Sequence, residues 1–263
     1  MPDARSGDVR LHYESDGEGP PVLLIMGLGM NATGWWRTVP VLAERLRVIS
    51  FDNRGVGRSD RPEGLYSVAQ MAADALAVLD AASEKSAHVY GISLGGMIAQ
   101  EVALTAPERV RSLVLGATTA GGDRAEPIAP ATLAFMQKRG ELTAEEAVWA
   151  SVPYNYAPRT RREAAQRIAE DIERRLLHPI EAEPYKAQLA AATGHDAGDR
   201  LRSVDTPTLV IHGEEDALVP PGNGRVLADL IPDAQLELLP DAAHLYPTDE
   251  PAADRAVLDF LTR

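Results

Sequence analysis

The stretch HVYGISLGGMI, residues 88–98, joins an apolar strand pattern to an apolar helix pattern through the sequence Gly-x-Ser-x-Gly. Gly91 and Gly95 lack Cβ atoms, so a strand and a helix can approach closely around Ser93 on a tight turn. The helix then starts beside the serine, where its free N–H groups favour developing negative charge. The pattern predicts a nucleophilic serine; the alternative is a serine that only caps the helix.

The chain also offers partners for this serine, whose hydroxyl needs a base and an acid that orients the base. His244 is one of six histidines and lies in a loop before the last predicted helix. Loops at the carboxyl edge of a parallel sheet surround active sites, so we predict His244 as the base. The segment 210–220 has three carboxylates just past a predicted strand. We predict Asp216 as the acid from its spacing, with Glu215 as the alternative; the chain order is then Ser93, acid, histidine.

Two parts of the chain alternate short apolar runs with helical patterns. This alternation predicts βα units, and therefore an α/β fold with a mostly parallel sheet and helices on both faces. The predicted strands are Val9–Tyr13, Val22–Met26, Val48–Asp52, His88–Tyr90, Leu113–Gly116, Thr208–His212 and Leu236–Leu239. The predicted helices in these parts are Val39–Leu46, Val68–Ala82, Leu94–Ala106, Gly222–Leu230 and Pro251–Leu261.

Between these two parts, strand patterns disappear and Arg, Glu and Ala dominate. We predict an all-helical cap at 121–200, inserted into a core of 1–120 and 201–263, because the stretch is too long for a plain loop. Thr143–Ser151 opens with a capping-box pattern, and Thr160–Leu177 predicts one exposed helix with alternating charge.

The predicted cap holds five of the 13 aromatic residues. Some of them should form a small cap core, and others should line an apolar substrate pocket. We predict Phe135, Trp149 and Tyr154 in that pocket, together with Met26 from the core.

Composition excludes several classes of function. The chain has 263 residues, a net charge of −13 and no cysteine, which excludes disulfides, thiolate metal sites and a cysteine nucleophile. The negative charge opposes binding to nucleic acid and to anionic membranes. The most apolar run, Val22–Met30, is far shorter than the ~20 residues of a membrane span, and residues 1–18 carry no signal-peptide pattern. We expect a cytoplasmic protein that acts on a small molecule; a homo-oligomer stays open.

Taken together, the motifs resemble those of the α/β-hydrolase fold superfamily over nearly the whole chain. The acid motif is HGEED at 212–216, and DEP at 249–251 is similar to the family's Glu-x-Pro after the histidine. FDNRGVGRSD at 51–60 is similar to a structural turn of the family, so Asp52 and Arg54 are not predicted to be catalytic. The resemblance implies an eight-stranded sheet, and the segments before the cap look like small esterases, 3-oxoadipate enol-lactonases and methyl esterases related to aclacinomycin methylesterase.

The resemblance also implies an oxyanion loop, Met26-Gly27-Leu28-Gly29, in which the Leu28 N–H is one donor and the Leu94 N–H is the other. Met26 stands where the family usually has a histidine that braces neighbouring loops. We expect this change to affect loop bracing and pocket shape more than chemistry. Ala243 stands where glycine often precedes the histidine, so we expect a slightly different loop path.

These implied residues predict a serine hydrolase that cleaves a carboxylic ester or lactone of a small, apolar substrate through an acyl-enzyme. Ser93 attacks, His244 moves the proton and Asp216 orients His244; the chemistry needs no cofactor and no metal. The alternative within the fold is a non-hydrolytic or C–C-cleaving member, either a lyase, a cyclase or a ligand-binding receptor.

A more distant alternative is an NAD(P)-dependent oxidoreductase. Residues 27–32 follow a predicted strand and fit Gly-x-Gly-x-x-Ala, and Asp52 ends the next strand. Gly34 weighs against this alternative, because the glycines of a dinucleotide site should open a helix at once.

Overall fold

The computed structural model describes residues 3–263, which contain an eight-stranded sheet in the order β1-β2-β4-β3-β5-β6-β7-β8. The strands are β1 (Asp3–Ser6), β2 (Val9–Asp16), β3 (Pro21–Ile25), β4 (Arg47–Phe51), β5 (Ala87–Ile92), β6 (Val110–Gly116), β7 (Thr208–Gly213) and β8 (Gln235–Leu239). β2 is antiparallel to both β1 and β4, and the other five pairs are parallel. The predicted mostly parallel, eight-stranded sheet is confirmed.

Twelve α-helices accompany the described strands. They are α1 (Thr38–Leu42), α2 (Val68–Ala81), α3 (Leu94–Thr105), α4 (Pro130–Arg139), α5 (Ala144–Ala150), α6 (Val152–Asn155), α7 (Pro158–Glu163), α8 (Ala165–Leu177), α9 (Ala182–Thr193), α10 (Gly222–Leu230), α11 (Tyr246–Asp249) and α12 (Ala252–Leu261). Short 3₁₀ helices lie at Ala32–Trp35, Pro107–Arg109, Gly122–Arg124 and Gly198–Ser203. No helix within residues 3–263 is long and apolar enough to cross a membrane.

The sheet is covered on both faces because side chains alternate along each strand. In β3, Leu23 and Ile25 pack into one core cluster with α2, α3 and α10. Val22 and Leu24 point the other way, into a second cluster with α1 and α12. All four side chains are fully buried, which explains why the strand is apolar throughout rather than alternating.

Several elements differ from the sequence prediction: β2 ends at Asp16 rather than Tyr13, β6 starts at Val110 rather than Leu113, and α11 was not predicted. The edge strand β1 was not predicted, because its four residues are mostly polar and short. α1 ends at Leu42 rather than Leu46. The prediction of one helix over Thr160–Leu177 is wrong: Ala164 has φ −135° and ψ 35°, which ends α7 and starts α8 in a new direction.

The chain between β6 and β7 forms helices α4 to α9. The predicted capping box opens α5: the Thr143 hydroxyl accepts from the Glu146 N–H, and the Glu146 carboxylate accepts from the Thr143 N–H. This stretch also meets itself at an isolated bridge between Gly121 and Asp196.

Asp171, a buried carboxylate on α8, joins these helices to the sheet-bearing part of the chain. Its Oδ1 accepts from Trp36 Nε1 at 3.0 Å and from Arg37 Nε at 3.3 Å. Its Oδ2 accepts from the hydroxyls of Thr248 at 2.6 Å and Tyr156 at 3.2 Å. This carboxylate of α8 therefore binds residues just before α1 through one oxygen, and Thr248 of α11 together with Tyr156 through the other.

Three parallel strands end at the same edge of the sheet, and each is followed by a residue predicted to be functional. Ser93 comes directly after β5, Asp216 three residues after β7 and His244 five residues after β8. Their strands are not all adjacent, but their carboxyl ends point the same way, which places the following loops together.

Candidate active site

Ser93 lies on a sharp turn between β5 and α3. Its φ of 58° and ψ of −123° are a conformation that residues with a side chain rarely adopt. The turn is held from both sides: the Ser93 N–H donates to the Gly116 carbonyl at 2.9 Å, and the Thr118 hydroxyl donates to the Ser93 carbonyl at 2.7 Å. The strained backbone is thus fixed by β6 and the residues that follow it.

The glycines around Ser93 are required by close backbone approach. A Cβ on Gly91 would overlap the carbonyl of Gly95, and a Cβ on Gly95 would overlap the carbonyl of Ile25. A Cβ on Gly27 would lie 2.9 Å from the Cβ of Ser93. The predicted reason for the glycines is therefore confirmed, and the loop after β3 lies directly against the serine.

Asp216 and His244 meet through a short hydrogen bond. His244 Nδ1 lies 2.8 Å from Asp216 Oδ2, and both side chains are buried. The other oxygen, Asp216 Oδ1, accepts from the N–H groups of Leu218 at 2.8 Å and Val219 at 2.9 Å. Glu215, the alternative acid, is exposed, so the structure favours Asp216 as the partner of His244.

His212, which sequence reasoning left without a role, also contacts Asp216. Its Nε2 donates to the Val219 carbonyl at 2.9 Å and lies 3.4 Å from Asp216 Oδ2. Burial alone would raise the pKa of Asp216, but the charge and hydrogen bonds of His244 and His212 outweigh burial and hold that pKa below its usual range. The carboxylate is therefore ionised at neutral pH.

Ser93 and His244 line the same cavity. Within the described chain, no hydrogen bond of 3.5 Å or less joins the Ser93 hydroxyl to His244. Such bonds are often loose before a ligand binds. Because Nδ1 faces Asp216, Nε2 is the ring nitrogen left for the serine.

The loop implied to hold an oxyanion is braced without a histidine. No hydrogen bond in the part of the chain described uses the backbone N–H of Leu28 or of Leu94, and both residues line the cavity. The Met26 carbonyl accepts from Asn53 Nδ2 at 2.9 Å. Further along the loop, the Gly29 N–H donates to Gln188 Oε1 on α9 at 2.9 Å.

Gln188 therefore supplies bracing that the sequence did not predict. It is fully buried, and its Nε2 donates to the Arg54 carbonyl at 2.8 Å. One amide thus joins the loop after β3 to the turn after β4. Bracing from a distant helix leaves no trace in the local sequence.

The histidine loop has its own support. The Asp249 carboxylate accepts from the N–H groups of Ala243 at 2.8 Å and Ala157 at 3.0 Å. Ala243 does not have a positive φ, so alanine fits where the family often has glycine.

Asp52 and Arg54 have structural partners, as the resemblance implied. Arg54 forms a buried bidentate ion pair with Asp74 at 2.6 Å. Asp52 accepts from the N–H groups of Ala32 and Arg58, both at 2.8 Å. Its carboxylate is thereby committed to backbone groups rather than to a ribose. Since only a short 3₁₀ helix, Ala32–Trp35, follows the glycines after β3, the dinucleotide alternative loses support.

The cavity measures about 290 Å³ and is lined mainly by apolar side chains. Of the predicted pocket residues, Met26 and Phe135 line it. Trp149 and Tyr154 do not. Trp149 is 53% exposed on the outer surface, and Tyr154 stacks behind Phe135 with ring centroids 4.3 Å apart.

Other polar residues of the cavity were missed by sequence reasoning. Arg139, Arg175 and His195 enter it from α4, α8 and the segment after α9. Burial is the main cause that lowers the pKa of His195 to about 4, so this imidazole is neutral at neutral pH. No spacing in the sequence marks these residues, because their positions depend on how separate helices pack. Within residues 3–263, no group of three or more metal-binding side chains is found.

Comparisons with known proteins agree with this fold. A family model described as alpha/beta hydrolase fold matches residues 20–251. A relative from Azorhizobium caulinodans, named "Putative carbamate hydrolase RutD", is 35% identical over 94% of this chain and 92% of its own length. The 3-oxoadipate enol-lactonase 2 of Acinetobacter baylyi is 28% identical over 94% of this chain and 90% of its length. The solved enol-lactonase of Burkholderia xenovorans superposes with a TM-score of 0.88 and 27% identity over the full length of both chains.

Proposed function

The chain belongs to the α/β-hydrolase fold family and is a hydrolase, and from that premise we propose that it cleaves a carboxylic ester or lactone through an acyl-enzyme on Ser93. The observation that carries the proposal is the 2.8 Å hydrogen bond from His244 to buried Asp216, at a cavity that Ser93 also lines. A serine hydroxyl beside an imidazole that is hydrogen-bonded to a carboxylate is the arrangement used for acyl transfer to serine.

In the first half of the reaction, Ser93 Oγ attacks the acyl carbon while His244 Nε2 takes its proton. The Asp216 carboxylate accepts from Nδ1–H and stabilises the resulting imidazolium. The unused N–H groups of Leu28 and Leu94 donate to the oxygen that becomes negative, and losing one such donor typically slows a reaction by ~10²–10³.

In the second half, the leaving group departs and water completes the reaction. His244 gives its proton to the leaving alcohol oxygen as the bond to the acyl carbon breaks. It then takes a proton from the attacking water and returns it to Ser93 Oγ as the acid leaves. Relatives named enol-lactonase and putative carbamate hydrolase support hydrolysis as the reaction class.

Residues 121–200 act in this proposal as a cap that selects the substrate. Phe135, Met136, Tyr185 and Leu189 from its helices line the cavity opposite Ser93's loop. Apolar walls of this kind bind the body of a small substrate, while a few polar groups fix its orientation.

Active-site labelling tests the proposal. The wild-type protein is treated with a fluorophosphonate probe and assayed with p-nitrophenyl butyrate, beside Ser93→Ala and a matched control, Ser203→Ala, at an exposed serine. We expect labelling and hydrolysis in the wild type and the control, and neither in Ser93→Ala. A label on another residue, or full hydrolysis by folded Ser93→Ala, would refute the assignment.

A further inference from the structure

Two arginines reach the cavity that holds Ser93 and His244. Arg139 is the last residue of α4, and Arg175 lies near the end of α8. Arg175 is only 9% exposed. These cations come from helices far apart in the sequence, and nothing in the proposed hydrolysis uses them.

Neither guanidinium has an acidic partner. Within residues 3–263, no carboxylate lies within 4.0 Å of Arg139 or Arg175. Arg175 Nη2 donates to the Ser151 hydroxyl at 3.2 Å, while Arg175 Nη1 and Arg139 Nε are buried with no hydrogen-bond partner. Asp171 is occupied by other donors.

An unpaired cation is costly to bury, and Arg175 is buried in the same cavity as the half-buried Arg139. Burial is the main cause that lowers the pKa of Arg175, and the charge of Arg139 lowers it further, whereas Tyr156 and the charge of Asp171 act in the opposite direction. Among residues 3–263, Glu126 is the one acidic residue that lines the cavity, and it forms no ion pair with either arginine. A chain with 39 acidic and 26 basic residues thus places two arginines without a direct carboxylate partner in the cavity that holds Ser93.

We propose that Arg139 and Arg175 bind a carboxylate of the substrate, so that the ester or lactone cleaved at Ser93 also carries a free carboxylate on an apolar chain. A planar guanidinium matches a carboxylate geometrically, and each guanidinium has five N–H donors in a fixed fork that can bind it. Arg139 is further fixed over the Tyr185 ring, 4.8 Å from its centroid. The substrate is then less uniformly apolar than the sequence predicts. The cleavage part of this inference rests on the proposed function; the binding part does not.

Matched esters test the selectivity. Mono-p-nitrophenyl esters of dicarboxylic acids, from succinate to pimelate, are compared with their methyl p-nitrophenyl diesters, which lack the charge. The wild type should have the higher kcat/KM for the acid at one or more chain lengths. In Arg139→Met and Arg175→Met, the ratio of kcat/KM for the acid to kcat/KM for the diester should fall roughly 10- to 100-fold. This is the loss expected when hydrogen bonds to a charged group are removed. Lys138→Met, at the exposed neighbour of Arg139 on α4, should keep the wild-type ratio.

A binding measurement separates this inference from the catalytic one. In Ser93→Ala, monomethyl glutarate near ten times its Kd should raise Tm by roughly 2–4 °C, and dimethyl glutarate should do so less. Adding Arg175→Met should remove the difference. If the carboxylate site binds monomethyl glutarate but the wild type hydrolyses none of the esters, only the role of Ser93 is refuted. Equal Tm shifts from the acid and the diester, or a wild-type preference for the diester at every length, would overturn the carboxylate site. If an arginine variant fails to fold, the comparison in Ser93→Ala alone still decides.

Discussion

Replacing Asp216 by asparagine should lower kcat by up to ~10⁴, equal to about 5.5 kcal/mol in the activation barrier. The reason lies in how the carboxylate is held. Its Oδ1 accepts from the N–H groups of Leu218 and Val219, so in the variant the amide oxygen must take that position. The amide nitrogen, a donor, then faces His244 Nδ1.

This orientation forces the wrong tautomer on the imidazole. Nδ1 must become an acceptor, which moves the ring proton to Nε2. Nε2 can then no longer take the proton of Ser93. The loss therefore falls on kcat through the proton transfer, while the backbone contacts of residue 216 are kept and the protein stays folded.

The assay is kcat for p-nitrophenyl butyrate, with Tm measured on the same samples to show that folding is intact. Glu215→Gln is the matched control, since it removes the neighbouring, exposed carboxylate; its kcat should equal that of the wild type. Activity of Asp216→Asn within about tenfold of the wild type would refute the reasoning. So would a comparable loss in Glu215→Gln.

Three other variants test the surroundings of the site. Gly95→Ala should give insoluble or inactive protein, visible in soluble yield, because its Cβ would overlap the backbone carbonyl of Ile25, which no side-chain rotation can relieve. Gln188→Ala should cost about 1–3 kcal/mol in unfolding free energy and lower kcat, because it leaves the Gly29 N–H unpaired; an unchanged Tm and kcat would contradict the bracing role. Burial raises the pKa of Asp254 from 3.8 to about 7, so the stability that this group contributes at low pH is lost as pH rises through about 7. The Tm of the wild type should therefore fall relative to that of Asp254→Asn between about pH 5 and pH 8. Parallel Tm curves for the two proteins would contradict this.

The part of the site that the sequence predicts is local in origin. The glycines around Ser93 are fixed by backbone clashes between adjacent elements, and such clashes leave a five-residue pattern. The parallel strands follow from apolar runs at regular intervals, and they imply which loops share an edge. Spacing within the motif predicts Asp216 rather than Glu215, and the burial and hydrogen bonds of the two carboxylates support that choice.

The part that the sequence does not predict depends on packing between distant helices. Gln188 braces the loop after β3 across 159 residues, and Arg139 and Arg175 meet in the cavity from different helices. Trp149 is predicted to line the pocket because apolar substrate sites are rich in aromatic side chains, but on α5 it lies exposed on the surface. A helix shows in its sequence which residues share a face, and not which element that face meets.

The Asp171 carboxylate has a consequence for how molecules enter and leave. Swinging α8 outward as a rigid flap would strip this buried anion of Trp36, Arg37 and Thr248 simultaneously, at a cost of about 1.5–3 kcal/mol for each hydrogen bond to a charged group. Substrate and product are therefore not expected to pass on the side of the cavity where α8 is held by Asp171. We expect small molecules to pass instead near Gly122–Arg124 and α4, which border the cavity and form no hydrogen bond with Asp171. The helices would then stay attached on the Asp171 side and move on the other.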